Sequence, residues 1–141
     1  MAFSGESAEF KKRNCEVVAC STDSKFSHKA WMEVDTKKGG IKGVEIPILA
    51  DFTKEVSRAY GVLKEDLGAA FRGLFLIDPD GVLQYQVVQQ LAIGRNPSEV
   101  LRVLDALQYN KEHGEVCPAN WAKGKKAIDT KKPMEFFEKQ A

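Results

Sequence analysis

Ala70-Phe-Arg-Gly-Leu-Phe-Leu-Ile-Asp-Pro-Asp-Gly-Val-Leu-Gln-Tyr-Gln-Val-Val88 is the stretch that decides the architecture. Leu74 to Ile77 is apolar on both faces, as a strand must be when both sides of its sheet are covered. Asp78-Pro-Asp-Gly81 is a strong turn signal, so Val82 to Val88 should return as the antiparallel partner. A covered sheet needs helices, and one follows directly. Asn96-Pro-Ser-Glu99 offers a capping residue, a proline at the first helical position and a glutamate three residues past the cap. Val100, Val103, Leu104 and Leu107 then form an apolar stripe.

Upstream the same alternation continues. Ser4 is expected to cap a short helix running through Arg13, with Ala8 and Phe10 on one side. Cys15 to Cys20 reads as a strand, ended by Ser21-Thr-Asp-Ser24. Phe26, Ala30, Trp31 and Val34 recur at helical spacing, and Lys37 to Gly43 reads as a flexible connector. Ile46 to Asp51 is a short strand whose Pro47 implies an edge or irregular start. Thr53 is expected to cap a helix ending before Gly61, and a last short helix is expected around Pro133 to Gln140. The order helix–strand–helix–strand–helix–hairpin–helix argues an α/β layered fold. It divides into a core, residues 1–110, and a C-terminal tail, residues 111–141.

Bulk properties narrow the function classes. Hydrophobic residues at 43% and charged residues at 29% give an ordinary soluble balance. A formal net charge of +1 supplies no field for nucleic acid or an anionic membrane. No stretch has the apolar length of a membrane span, and the N-terminus has no signal-peptide or transit pattern. Three cysteines, Cys15, Cys20 and Cys117, are too few for a disulfide scaffold, so reduced thiols in a cytoplasmic setting are expected. With no C-x-x-C pair and two histidines far apart, neither a metal site nor a cofactor is expected.

His113-Gly-Glu-Val-Cys-Pro-Ala-Asn-Trp121 carries the chemistry. Its thiol lies between a glycine that loosens the backbone and a proline that forbids a helix, in a polar stretch where it can be reached. This segment closely resembles the resolving-cysteine segment of typical 2-Cys peroxiredoxins. Further collinear resemblance lies in Asn14 to Ser24, Phe26-Ser-His-Lys-Ala-Trp31, Ile46 to Asp51, Tyr60-Gly-Val-Leu63, Phe71 to Asp78 and Gly94-Arg95.

The resemblance implies a thioredoxin-like fold and the reduction of hydrogen peroxide and alkyl hydroperoxides. In that family a peroxidatic cysteine becomes a sulfenic acid, a resolving cysteine of the partner subunit condenses with it, and thioredoxin or a dedicated disulfide reductase restores both thiols. Cys117 matches the resolving position. Arg72 and Arg95 match arginines that stabilise the peroxidatic thiolate and polarise the peroxide, which a guanidinium suits because its donors form a fixed fork. A strand-end ion pair of these arginines with Asp78 or Glu99 is the structural alternative.

The family's Phe-Val-Cys-Pro-Thr-Glu motif would fall just upstream of Met1. The expectation is therefore a peroxiredoxin fold lacking its N-terminal strands and peroxidatic segment, with the isolated chain inactive. Losing a central strand would leave two neighbouring strands with unpaired backbone groups. The alternatives are a non-catalytic interaction subunit or holdase-like partner of full-length relatives, and a catalytically dead binding module.

Cys15 and Cys20 are expected to be buried and inert, and Cys20 lacks the surroundings that activate a thiol. His28 and Trp31 resemble a family stretch at the active-site wall, with core filling expected. Gly39-Gly-Ile-Lys42 and Glu135-Phe-Phe137 match segments that govern overoxidation in some members, with Lys42 replacing glycine and Phe136 replacing tyrosine. The apolar strand Val82 to Val88 is where family dimers join, so a homodimer or a hetero-oligomer with full-length peroxiredoxin is expected.

Overall fold

The computed structural model describes residues 1–138. By contact the chain divides into two compact units, Met1–Pro97 and Ser98 onward. The first unit opens with α1 (Ala2–Gly5) and α2 (Ser7–Lys11), followed by β1 (Ala19–Ser21), α3 (Lys25–Glu33), β2 (Ile48–Ala50) and α4 (Glu55–Ala59). A short pair, β3 (Leu63–Lys64) and β4 (Ala69–Ala70), precedes the hairpin of β5 (Arg72–Ile77) and β6 (Leu83–Gln89). Helix α5 (Pro97–His113) starts at the proline foreseen for it, and α6 (Met134–Phe137) closes the described chain. The expected last helix is thus four residues long, and its predicted end at Gln140 lies outside the described residues.

The hairpin forms as its sequence dictates. Arg72 pairs with Gln89 and the register runs to Ile77 opposite Leu83, with one irregularity between Leu76 and Ile77. In the turn, Gly81 takes a left-handed φ of 80°. The Asp78 carboxylate accepts the amides of Asp80 and Val82, both at 2.9 Å, a local bond that short acidic side chains favour. β1 and β2 pair in parallel, Cys20 opposite Leu49, which requires the crossover that α3 provides. Among the described residues each sheet has two strands, and no ladder joins β1–β2 to β5–β6. The strands of the first unit therefore form three separate two-stranded ladders among the described residues.

Several local readings need correction. The first helix does not run from Ser4 to Arg13: it is interrupted at Glu6, and the Ser4 hydroxyl instead accepts the Glu45 amide at 3.2 Å. Phe10 is 2% exposed, but Ala8 lies at the surface. Only Ala19 to Ser21 of the Cys15–Cys20 stretch is strand. The α3 stripe faces outward, with Phe26 74% exposed and Trp31 also at the surface, while the buried side chain of that helix is His28. The 37–43 connector is ordered by contact: Gly40 abuts the Val34 carbonyl so closely that no Cβ fits, and Ile41 is buried.

Thr53 does not cap α4. The backbone turns left-handed at Lys54 (φ 64°), and the buried Asp51 carboxylate accepts the amides of Val56 at 3.0 Å and Ser57 at 2.7 Å. Burial opposes ionisation of Asp51, yet its hydrogen bonds with Ser57, Val56 and Glu55 outweigh it and hold the carboxyl below its ordinary value. A depressed folded-state pKa gives stability that is present above the unfolded value, about 3.9, and lost as pH falls through the folded one. Asp51→Ala should therefore cost about 1–2 kcal/mol at pH 7, the loss expected for a helix-start acceptor. In urea unfolding the gap to wild type should close below about pH 4.

Candidate functional site

In the second unit, Gly114 ends α5 at a φ of 69°, and Pro118 keeps the following stretch from re-entering a helix. The backbone then turns back along the helix that it has just left. Val116 exchanges both backbone hydrogen bonds with Ile128, at 2.9 and 2.8 Å, which fixes the register of the segment. Cys117 is half-buried, its Sγ 3.7 Å from the Ala106 carbonyl on α5. It borders a hollow of about 390 Å³ that Arg102, Val103, Ala106 and Asn110 also line. Burial pushes the thiol up from its ordinary value and Glu115 adds to this, while Arg102 opposes it weakly. The tail cysteine is thus less freely presented than its polar neighbours imply.

In the first unit, β5 begins with Arg72, whose Nε donates to the Leu91 carbonyl at 2.9 Å. Arg95 reaches back across the hairpin, and its Nη1 donates to the Gly73 carbonyl at 2.7 Å. Gly73 sits where a Cβ would meet Phe75 and Val62, so a side chain there would crowd this anchor. Burial lowers the Arg95 pKa, and repulsion from Arg72 lowers it further. The structure therefore brings the two cations within electrostatic reach of one another. The Arg95 Nε is buried without a hydrogen-bond partner. A paired cationic site with an unfilled donor is suited to an anion or a polarisable oxygen. Within the second unit Glu99 is engaged by Arg102 at 2.7 and 2.8 Å.

The other thiols differ from expectation in burial but not in temper. Cys20 is exposed and Cys15 is half-buried. Cys20 is raised by desolvation and by Asp51; Cys15 is raised by desolvation and by Glu16. No cysteine of the chain is activated toward thiolate, the form that attacks peroxide.

His28 is buried as expected of a core histidine, with Nε2 2.7 Å from the Ser21 hydroxyl and Nδ1 unpaired. The Trp31 indole donates to the Gly39 carbonyl at 2.9 Å. Tyr109 and Asn110, which donate to Glu115 two residues before Cys117, carry no motif. Their only trace in the sequence is a hydrogen-bonding side chain on the last turn of a helix that ends in glycine.

Residues 1–86 match the AhpC/TSA family, and residues 106–135 match the C-terminal domain of 1-Cys peroxiredoxin. Among curated proteins, peroxiredoxin tpx1 of Schizosaccharomyces pombe is 54% identical over 99% of this chain and 72% of its own length. Peroxiredoxin-2 of Bos taurus is 50% identical, over 99% of this chain and 71% of its own. Among solved structures, reduced 2-Cys peroxiredoxin of Plasmodium vivax superposes with a TM-score of 0.93 at 39% identity, covering 97% of this chain and 72% of that one. Thioredoxin peroxidase I of Plasmodium yoelii superposes at 0.75 with 43% identity, over 87% and 70% of the two chains.

Proposed function

Because the chain belongs to the AhpC/TSA peroxiredoxin family, we propose that it supplies the resolving half of a thiol peroxidase, with Cys117 as the resolving thiol. The observation that carries this reading is the state of its thiols. All three are pushed above the ordinary cysteine value, which suits Cys117 to the resolving role rather than to the initial attack on peroxide. A peroxidatic thiolate takes one oxygen from H₂O₂ to become a sulfenic acid, and the other oxygen leaves as water. Cys117 sulfur then bonds to the sulfenic sulfur and the hydroxyl departs as a second water, leaving a mixed disulfide. A dithiol reductant returns both sulfurs to thiols and becomes a disulfide itself. Two similar proteins are named thioredoxin peroxidase, from Trypanosoma brucei rhodesiense and Echinococcus granulosus, and they motivate thioredoxin as that reductant.

A resolver tolerates a high pKa because the sulfenic sulfur is strongly electrophilic. Arg72 and Arg95 act on the other partner in this scheme. Their cations hold the peroxidatic thiolate and polarise the O–O bond as negative charge develops on the leaving oxygen. Anchoring to the Leu91 and Gly73 carbonyls fixes the forks in advance, so little reorganisation accompanies the reaction. Supply of the first sulfur by another chain requires association. Among the described residues β6 has one unpaired edge, and with Leu83 45% and Val88 50% exposed it suits strand-to-strand pairing with a full-length relative or a second copy.

A thioredoxin-coupled peroxide assay tests this. Residues 1–141 alone should consume H₂O₂ no faster than buffer. Mixing with a peroxiredoxin whose resolving cysteine is mutated should restore turnover. Steady turnover by the isolated chain would overturn the assignment.

A further inference from the structure

The loop that follows β6 folds back over the hairpin and leaves two buried polar atoms of opposite sense without partners. The Ile93 amide donates to the Gln90 carbonyl at 3.0 Å, closing a turn that returns Arg95 to β5, where its Nη1 meets the Gly73 carbonyl. Gln89, the last residue of β6, pairs with Arg72, the first of β5. Directly opposed residues of an antiparallel pair project from the same face, with their Cβ atoms about 5 Å apart. The Gln89 side chain therefore leaves the hairpin on the face that carries the Arg72 guanidinium, the same cation whose repulsion reaches Arg95. Among the described residues the buried polar side-chain atoms that lack a hydrogen-bond partner are His28 Nδ1, Gln89 Oε1 and Arg95 Nε. The last two belong to this corner of the hairpin. One is an acceptor and the other a donor, yet they do not satisfy each other. Arg72 is exposed, so the corner opens to solvent on its side.

Buried polar atoms are nearly always paired, because an unpaired one forfeits its hydration without return. Two of opposite sense beside one cation describe a site for a small molecule with a donor and an acceptor of its own. We propose that Gln89 is a further substrate-binding residue, its Oε1 accepting the O–H of a small hydroperoxide whose other oxygen accepts from Arg95 Nε. This deepens the reading of Arg72 and Arg95 as the groups that polarise the peroxide, and it rests on that reading. A hydroperoxide, R–O–O–H, carries its donor on one oxygen and accepting lone pairs on the next. A bare anion would answer the arginines but would be repelled by the amide oxygen. An alcohol has donor and acceptor on a single oxygen. The assignment also fixes which oxygen is which. The hydroxyl oxygen is the one transferred to sulfur, and Gln89 holds it; the R-bearing oxygen leaves with the electron pair of the O–O bond, and Arg95 donates to it where negative charge grows. An uncharged glutamine does this without neutralising the arginines, which a glutamate in its place would do.

The test is a titration of the ¹⁵N-labelled chain, residues 1–141, at pH 6, where its three thiols stay protonated. The Arg95 Nε–H resonance, assigned by its loss in Arg95→Lys, and the Gln89 side-chain amide should move saturably as tert-butyl hydroperoxide is added. Neither should respond to tert-butanol. Gln89→Met keeps the length of the side chain and removes the oxygen. It should raise the concentration for half-saturation about tenfold, while the midpoint of urea unfolding stays or rises because an unpaired buried acceptor has gone. A purely structural glutamine would give the reverse, a lower midpoint with the titration unchanged.

Wild-type titration in Gln89→Met would overturn the assignment, as would an equal response to tert-butanol. Should Gln89→Met lose hairpin protection in hydrogen exchange, Gln89→Glu decides. Its carboxylate should pair with Arg95, shifting the Nε–H before hydroperoxide is added and abolishing the response to it; a wild-type response there overturns the proposal. An Arg95 Nε–H that ignores hydroperoxide in the unmutated chain removes the arginine reading as well, whereas one that moves regardless of Gln89 removes this proposal alone. The resolving role of Cys117 is read separately, from the mixed disulfide, so its failure is not confused with either.

Discussion

Cys117→Ser should abolish capture of a sulfenic acid by this chain, while Cys15→Ser and Cys20→Ser should leave capture intact. When a peroxiredoxin lacking its own resolving cysteine is treated with one equivalent of H₂O₂ in the presence of the chain, a mixed-disulfide band should form on a non-reducing gel. It should be missing for Cys117→Ser alone. A hydroxyl cannot form the S–S bond, so the expected loss is complete rather than graded. Cys20 is the stringent control because it is exposed where Cys117 is half-buried. Cys20 is the more exposed on β1, so a reaction governed by exposure alone would select it over the half-buried Cys117. A band that persists in Cys117→Ser and vanishes in Cys20→Ser would sink the assignment. Since burial and Glu115 both raise the Cys117 thiol, the capture rate should also climb by about tenfold per pH unit until the thiolate fraction saturates.

The parts of this molecule that could be read from sequence are those fixed by neighbouring residues. Asp78 to Gly81 makes its turn through its own side chain and its own glycine, so the hairpin it joins is legible. Pro97 marks the start of α5 for the same reason.

Features set by distant contacts were not legible. The periodicity of Phe26, Ala30 and Trp31 gives a helix but not the side that it buries, and the structure buries His28 against the Ser21 hydroxyl. Asp51 displaces Thr53 at the start of α4 because Lys54 turns left-handed, a conformation that nothing in Phe-Thr-Lys announces. The arginine pair was recognisable by resemblance alone. Its physical signature, two cations anchored on carbonyls with one donor unfilled, needs the hairpin folded. At Cys117 an accessible thiol was expected from its polar neighbours, and its contacts with α5 were not legible, because they come from a helix whose pattern only records its apolar side.

Trp121→Ala should be the most damaging single change to the C-terminal unit. Its side chain and that of Phe10 are the largest that are fully buried. Truncation of a buried tryptophan removes its transfer free energy and leaves a cavity, for about 3–5 kcal/mol. That is a large share of the 5–15 kcal/mol that holds a typical domain together. Here the indole N–H bond to Lys125 goes too, and the Tyr109 ring loses a packing neighbour. With its downstream anchor gone, the segment from Gly114 to Trp121 should release Cys117 even though the Tyr109–Glu115 bond remains possible. Trp121→Phe retains an apolar ring and forfeits mainly the hydrogen bond, so it should cost much less, about 1–2 kcal/mol. Urea unfolding gives the stability difference, and hydrogen exchange at Val116 and Ile128 locates it, because those amides close the bridge across that segment. Loss of Trp121 should accelerate Cys117 alkylation and lower the midpoint of its pH profile, because release relieves the burial that chiefly raises the thiol, while the Glu115 charge stays beside the sulfur. A Trp121→Ala chain with wild-type protection at Val116 would mean that the segment is held by Glu115 and its neighbours alone.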